Sequence, residues 1–397
     1  MKKYFKKILL CAMGTFGDIA PLLVYGLQLK SEGHSIAFCS ANNYKNIADA
    51  YNIIFYPIDI DFDLIKDENA KAMGHSIISL LKFKQNLKKF SQYEFSTLRE
   101  IIMKHDEVIA SGAVLSAMSI CEKHNIPYRH MLLSPAWLPS KNYTPPIFPF
   151  QISNSFLNSI LWYCFTICFS LMVKKTVNKQ REQLNLSRIK NVYISFIDKS
   201  FLSCSKILFP IPGKYSYLKI LKPEFFFPEN SNCKRIDSFV KSRKRIIYIG
   251  FGSMPIKDPD RIVRIINYVI TELCLSAIIQ IPDYNNNEQF NNILNINSAN
   301  HKHIFPKMEI IIHHGGAGTT YSAALAGRPQ IIFAHILDQY YNGSICNKKG
   351  IALPVININK FSYNALKSSL LTILNNSVYS KTAISFSKTL QRENQED

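Results

Sequence analysis

The run Ile310-Ile311-Ile312-His313-His314-Gly315-Gly316-Ala317-Gly318-Thr319-Thr320-Tyr321 joins a short apolar stretch to a glycine-rich turn and then to a helix-forming stretch. Chemically this is an anion cradle. Glycines let the backbone approach a ligand closely, and a helix N-terminus carries about half a positive charge on N–H groups that the helix itself cannot pair. A diphosphate fits such a place without a metal ion. A plain connecting turn would need one glycine rather than three, and no adjacent histidines. Neighbours on an extended strand point to opposite faces, so His313 and His314 are poorly placed to grip one ion, and no metal site is expected. His314, beside the glycines, is the expected phosphate contact, and His313 is expected to face the other domain or to pack.

Two other turns carry reactive side chains. Gly250-Phe251-Gly252-Ser253 closes the apolar run that begins at Ile247, and Gly14-Thr15-Phe16-Gly17-Asp18 follows the first apolar run and sets a carboxylate before a helix. Further on, Asp338-Gln339 offers a carboxylate and an amide, which together supply acceptors and donors for adjacent hydroxyls.

The elements that must position these groups alternate. Residues 7–13 read as a strand, 21–31 as a helix closed by Gly33, and 35–39 as a second strand, with further short apolar runs at 108–110, 128–133 and 207–209. A second set comprises strands at 245–250, 277–281, 309–312 and 330–333, with a helix opened by Asp258 as N-cap and Pro259 at its first position. Such alternation predicts parallel, doubly wound α/β sheets. A chain of 397 residues suits two domains. Pro210, Pro212, Pro223 and Pro228 place the linker, giving an N-terminal domain at 1–210, a linker at 211–244 and a C-terminal domain at 245–397.

The formal net charge of +19 comes from dispersed Lys and Arg with no groove-reading motif, so no nucleic-acid partner is expected and a peripheral contact with anionic membrane is the alternative use. The nine cysteines form no framework and read as free thiols of a cytoplasmic protein. The basic N-terminus runs into an apolar stretch broken at Gly14 and Asp18, which reads as a first strand rather than an export signal. Residues 156–173 are apolar over nearly the length of a membrane span, but Asn158, Ser159, Thr166 and Ser170 interrupt them, so buried or cleft-lining helices of the N-terminal domain are expected, with interfacial membrane contact as the alternative.

The segment from His313 to Thr320, followed by Ala326-Gly327-Arg328-Pro329-Gln330 and His335-Ile336-Leu337-Asp338-Gln339, resembles the donor-site signature of glycosyltransferase family 1, and within it the sterol, macrolide and rhamnosyl transferase branch. Residues 247–254 resemble the first strand and loop of that family's C-terminal domain, and residues 14–21 its N-terminal opening. The resemblance implies the GT-B architecture, two Rossmann-like domains facing a cleft. It also implies inverting, metal-independent transfer of a hexose from a nucleotide sugar, expected to be a UDP-sugar, to a hydroxyl of a lipophilic acceptor such as a sterol, lipid or polyketide-like molecule. By the same resemblance Gly252, Ser253, His314, Gly316, Gly318 and Thr319 match donor-phosphate positions, Asp338 and Gln339 the sugar contacts, and Asp18 the base. No cofactor beyond the nucleotide sugar is implied, and a monomer is expected. One departure concerns the nucleobase: relatives read Pro-His-x-Trp-Leu-Phe-Pro, whereas this chain reads Asn300-His301-Lys302-His303-Ile304-Phe305-Pro306, so that His303 stands for the stacking tryptophan. Two rivals remain on the same fold, a nucleotide-sugar or lipid-binding protein without turnover and a sugar-nucleotide epimerase.

Overall fold

Strands buried on both faces read as unbroken apolar runs, and β1 (Lys7–Met13) is buried at every position after Lys7. The computed structural model describes residues 5–59, 77–223, 233–284, 290–298 and 300–393. After β1 come α1 (Phe16–Ser31), β2 (Ser35–Ala41), α2 (Lys45–Ala50), β3 (Ile54–Ile58), α3 (Ile77–Ile101), β4 (Glu107–Gly112), α4 (Ala117–His124) and β5 (Tyr128–Leu132). The long α5 (Ser155–Gln183), α6 (Val192–Ile197), β6 (Ser200–Ser203) and β7 (Ile220–Leu221) complete this sheet, ordered β3-β2-β1-β4-β5-β6-β7 and parallel throughout. One core lies on each face, around Leu9, Leu98 and Val108 on one side and Leu10, Leu22 and Phe38 on the other.

The second sheet is built the same way. Its elements are α7 (Cys233–Ser242), β8 (Ile246–Gly250), α8 (Pro259–Glu272), β9 (Ser276–Gln280), β10 (Ile293–Asn295), α9 (His301–Ile304), β11 (Ile311–His313) and α10 (Ala317–Leu325). They are followed by β12 (Gln330–Ala334), α11 (Gln339–Lys348), β13 (Ile356–Asn357), α12 (Tyr363–Leu374) and α13 (Ser377–Glu393), with strand order β10-β9-β8-β11-β12-β13. Asp258 caps α8 as its sequence predicts, accepting from the Arg261 N–H at 2.9 Å.

Three expectations are corrected. The first helix begins at Phe16, not at Pro21, because Thr15 and Asp18 start it: the Asp18 carboxylate accepts from the Thr15 N–H at 2.9 Å, and Pro21 lies inside. Residues 207–209 form a turn that buries Leu208 and Phe209, while the strand is Ser200–Ser203, just upstream. The region 211–244 contributes structure of its own: β7 extends the first sheet, and α7 buries Ile236 in the core beneath β8. Pro228 lies outside the described residues. The chain crosses between its two compact units more than once, since one unit is drawn from Met1–Leu133, Ser159–Ser203 and Tyr215–Phe226 and the other from Ser134–Asn158, Cys204–Lys214 and Phe227–Asp397. Within the second unit, the Ser134 hydroxyl donates to Asn342 Oδ1 at 3.1 Å and the Ser205 hydroxyl bonds Glu393.

Candidate functional site

In the second sheet the chain runs outward from β8 to β10 and then returns to place β11 on the other side of β8. Loops leaving β8 and β11 therefore part, and the crevice between them is where such sheets take ligands. His313, the last residue of β11, is fully buried. Its Nδ1 accepts from the Gly315 N–H at 3.0 Å, which leaves Nε2 to donate to Gln330 Oε1 at 2.8 Å. Burial pushes its pKa down to about 3, so it stays neutral and braces the turn, as packing requires.

His314 turns its ring nearly perpendicular to that of His313 and into the space left by two glycines. A Cβ on Gly316 would stand 2.4 Å from His314 Nε2, and one on Gly252 would stand 2.9 Å from Cε1. These glycines thus make room first for the imidazole, a reason invisible in the sequence. Burial pushes the His314 pKa down to about 4, a shift only partly offset by the Gly250 backbone, and Nδ1 is buried with no partner at hydrogen-bonding geometry among the described residues. Gly316 is the N-cap of α10, and the first intrahelical amide bond runs from Thr320 N–H to Gly316 O at 2.9 Å. The N–H groups of Ala317, Gly318 and Thr319 are therefore free of intrahelical partners, at the positive end of the helix. Gly252 holds a φ of 60° in the facing turn, closed by Met254 N–H to Phe251 O at 3.1 Å, and the Ser253 hydroxyl beside it makes no hydrogen bond among the described residues.

The loop after β12 is pinned by Gln339. Its Oε1 accepts from the His335 and Ile336 N–H groups at 2.7 and 3.1 Å, and its Nε2 meets Met254 Sδ at 3.3 Å. Asn342, one helical turn on and fully buried, donates to Gly315 O at 2.9 Å and to Asp338 Oδ2 at 3.1 Å, so it ties the glycine turn to the acidic residue. Its spacing of four from Asp338 is the only sequence signal for that role. His335 is partly buried, desolvation pushes its pKa down to about 3, and its buried Nε2 has no hydrogen-bond partner among the described residues.

Asp18 occupies the equivalent place in the first sheet, in the loop after β1 and beside the loop after β4. A Cβ on Gly14 would fall 2.3 Å from Asp18 Oδ2, and one on Gly112, itself at φ 71°, would fall 3.4 Å from Asp18 Cβ. Burial raises the Asp18 pKa above the usual carboxylate range, against the Thr15 backbone and hydroxyl bonds, which lower it.

With this geometry in view, the likenesses to known proteins are specific. The model of the glycosyltransferase family 28 N-terminal domain matches residues 8–140, and that of the erythromycin biosynthesis protein CIII-like C-terminal domain matches residues 277–394. A sterol 3-beta-glucosyltransferase of Vanderwaltozyma polyspora is 24% identical over 96% of this chain and 33% of its own length. One of Arabidopsis thaliana is 23% identical over 98% of this chain and 66% of its own. Among solved structures, a spinosyn forosaminyltransferase has a TM-score of 0.69 at 12% identity, covering 98% of this chain and 95% of that one. A spinosyn rhamnosyltransferase complexed with thymidine diphosphate has a TM-score of 0.67 at 13% identity, covering 97% and 96%. Together these likenesses support a UDP-glycosyltransferase family. Its two parallel-sheet α/β domains have the GT-B fold. It spans about a third of the length of the first of these curated relatives.

In the second sheet the structure gathers Gly252, His314, Gly316, Asp338 and Gln339 around one crevice, with Ser253, Gly318 and Thr319 on its turns. Two expected roles change. Gln339 spends its amide oxygen and one N–H on the loop and Met254, so it is a pin of that loop before it is a sugar contact. His303 is tied by its edge to Asp237 of α7 at 2.9 Å, with Lys307 Nζ 2.6 Å from the same oxygen, so its ring is a member of a hydrogen-bonded cluster before it is a stacking surface. The aromatic contact belongs to His301, which lies 4.2 Å from Phe305 with rings nearly parallel.

Proposed function

We propose that this family member is an inverting, metal-independent glycosyltransferase that moves a hexose from a nucleotide sugar, a UDP-sugar in our reading, to a hydroxyl of a lipophilic acceptor. The observation that carries it is the cluster of unpaired donors at one crevice: the N–H groups of Ala317, Gly318 and Thr319 beside the neutral imidazole of His314. Fixed donors of this kind stabilise charge that grows on a departing diphosphate, and they cost no reorganisation when the bond breaks. Asp338 is the group for the sugar hydroxyls, held at one oxygen by Asn342. Asp18 takes the acceptor proton. Its raised pKa improves it as a base, though a carboxylate still serves best when the proton moves late, as the sugar leaves phosphate. The sterol glucosyltransferase relatives and the neighbour with bound thymidine diphosphate support the donor and acceptor classes.

The test is incubation with UDP- and dTDP-sugars, with and without a sterol or an amphipathic lipid alcohol. Release of free nucleotide that accelerates with acceptor supports the transferase. An epimerised donor supports the isomerase, and tight binding without nucleotide release supports a binding protein.

A further inference from the structure

We propose that the exposed arc of α5 docks this protein on a membrane surface bearing anionic lipids, with the helix lying in the plane of the interface. From 156 to 173 the helix carries no charged residue. Its most apolar 18-residue window has a mean hydropathy of 1.8, yet only 33% of that window is buried. At roughly 100° per residue, Ile160, Tyr163, Cys164, Ile167, Cys168 and Leu171 fall within one arc of about 140°. On that arc Ile160 is 43% exposed, Tyr163 69% and Leu171 63%. A surface helix facing water carries polar residues on such an arc, and a contiguous apolar patch marks a docking surface.

The opposite side explains why the helix lies on a membrane instead of crossing it. Trp162, Phe165, Val173 and Val177 are buried there, with Phe165 edge-on to Tyr193. Ser170 donates to Asn191 Oδ1 at 2.8 Å. Surrounding the helix with lipid would break these contacts and strand buried polar groups in hydrocarbon.

Charge selects the occupant. No acidic residue occurs from 155 to 181, and Lys174 and Lys175 continue the same arc at its C-terminal end. With a formal net charge of +19, two copies of this arc would appose like charges, whereas anionic headgroups complement them. The inference does not depend on the transferase reading.

The full chain is floated with phosphatidylcholine vesicles and with vesicles also containing phosphatidylglycerol, at low and high salt. Binding to the anionic vesicles that weakens with salt is expected. The double variant Lys174→Glu/Lys175→Glu should partition at least about tenfold less, and Ile160→Glu/Leu171→Glu likewise, with unchanged melting temperature and elution volume. As an arm that needs no folding-sensitive change in the arc, an environment-sensitive fluorophore on Cys168, with Cys164 and Cys274 replaced by serine, should shift to the blue on adding anionic vesicles. Absence of binding, equal binding by the variants, an unshifted fluorophore, or lost self-association in Ile160→Glu/Leu171→Glu would each overturn the proposal, the last by making the arc an interface between copies.

Discussion

Gly316 and His314 are fitted to each other: any Cβ at position 316 would press within 2.4 Å of the His314 Nε2 atom. Because Gly316 has a φ of −60°, alanine there adds contact without backbone strain. Gly316→Ala should push the imidazole out of its place and weaken UDP or dTDP binding at least about tenfold, at a cost in folding of about 1–3 kcal/mol. Titration calorimetry beside thermal melts checks it, and unchanged affinity would separate His314 from the phosphate.

His314→Ala should likewise weaken nucleotide binding, by about 1–3 kcal/mol for the loss of a donor to a charged group. With its pKa near 4, wild-type His314 is neutral across pH 6 to 8, so its contribution should be flat over that range. A loss of affinity centred near pH 6.5 would show that the ring binds as a cation.

Asp18→Asn should retain nucleotide binding and lose about 10² to 10⁴ in turnover. Thr15→Ala is the companion. It removes the hydroxyl bond that lowers the Asp18 pKa, so the acid limb of the rate profile should move to higher pH while the carboxylate remains. Near-normal turnover in Asp18→Asn would reduce Asp18 to its capping role on α1.

Gln339→Ala should lower the melting temperature as well as activity, since it releases the His335 and Ile336 N–H groups, at about 1–3 kcal/mol for each buried group left unpaired. Asp338→Asn should keep the melting temperature close to wild type and raise the KM for the sugar nucleotide. Similar melting temperatures for both variants would remove the distinction between loop pin and sugar contact.

Stability should fall on acidification. His130 and His314 have pKa values pushed down to about 4 by burial, and His301, His313 and His335 to about 3. The unfolded chain takes up these protons near pH 6.5 and the folded chain does not, so this stability is complete above that pH and drains away toward pH 3. Glu94 works in the opposite sense. It is fully buried beneath α4, accepts from the Ser116 and Leu115 N–H groups at 2.8 and 3.2 Å, and has its pKa raised to about 7 by burial. Its contribution is complete below about pH 4.5 and is lost as pH rises through 7. Melting temperatures across pH 4 to 8 should show a flatter acid limb in His313→Gln and less loss above neutrality in Glu94→Gln.

What the sequence made legible was local. The Ile310–Thr320 segment announces its strand, turn and helix within a dozen residues, and Asp258-Pro259 announces α8. What escaped depends on partners far along the chain. The tie from His303 to Asp237 spans 66 residues, and the fit of His314 against Gly252 needs two strands placed side by side. The early start of α1 was written in Thr15 and Asp18, but Pro21 is the louder signal of a first turn. Gln339 could be read for its chemistry and not for its commitments, because hydrogen bonds to the His335 and Ile336 amides appear only once the loop is folded.

The interleaving of the two units bears on how chimeras could be made. Ser134–Asn158 and Cys204–Lys214 lie early in the chain yet belong with the later sheet, joined to it through Ser134–Asn342 and Ser205–Glu393. A single crossover between this protein and a relative would separate those partners, so working hybrids must exchange the early insertions together with the C-terminal half.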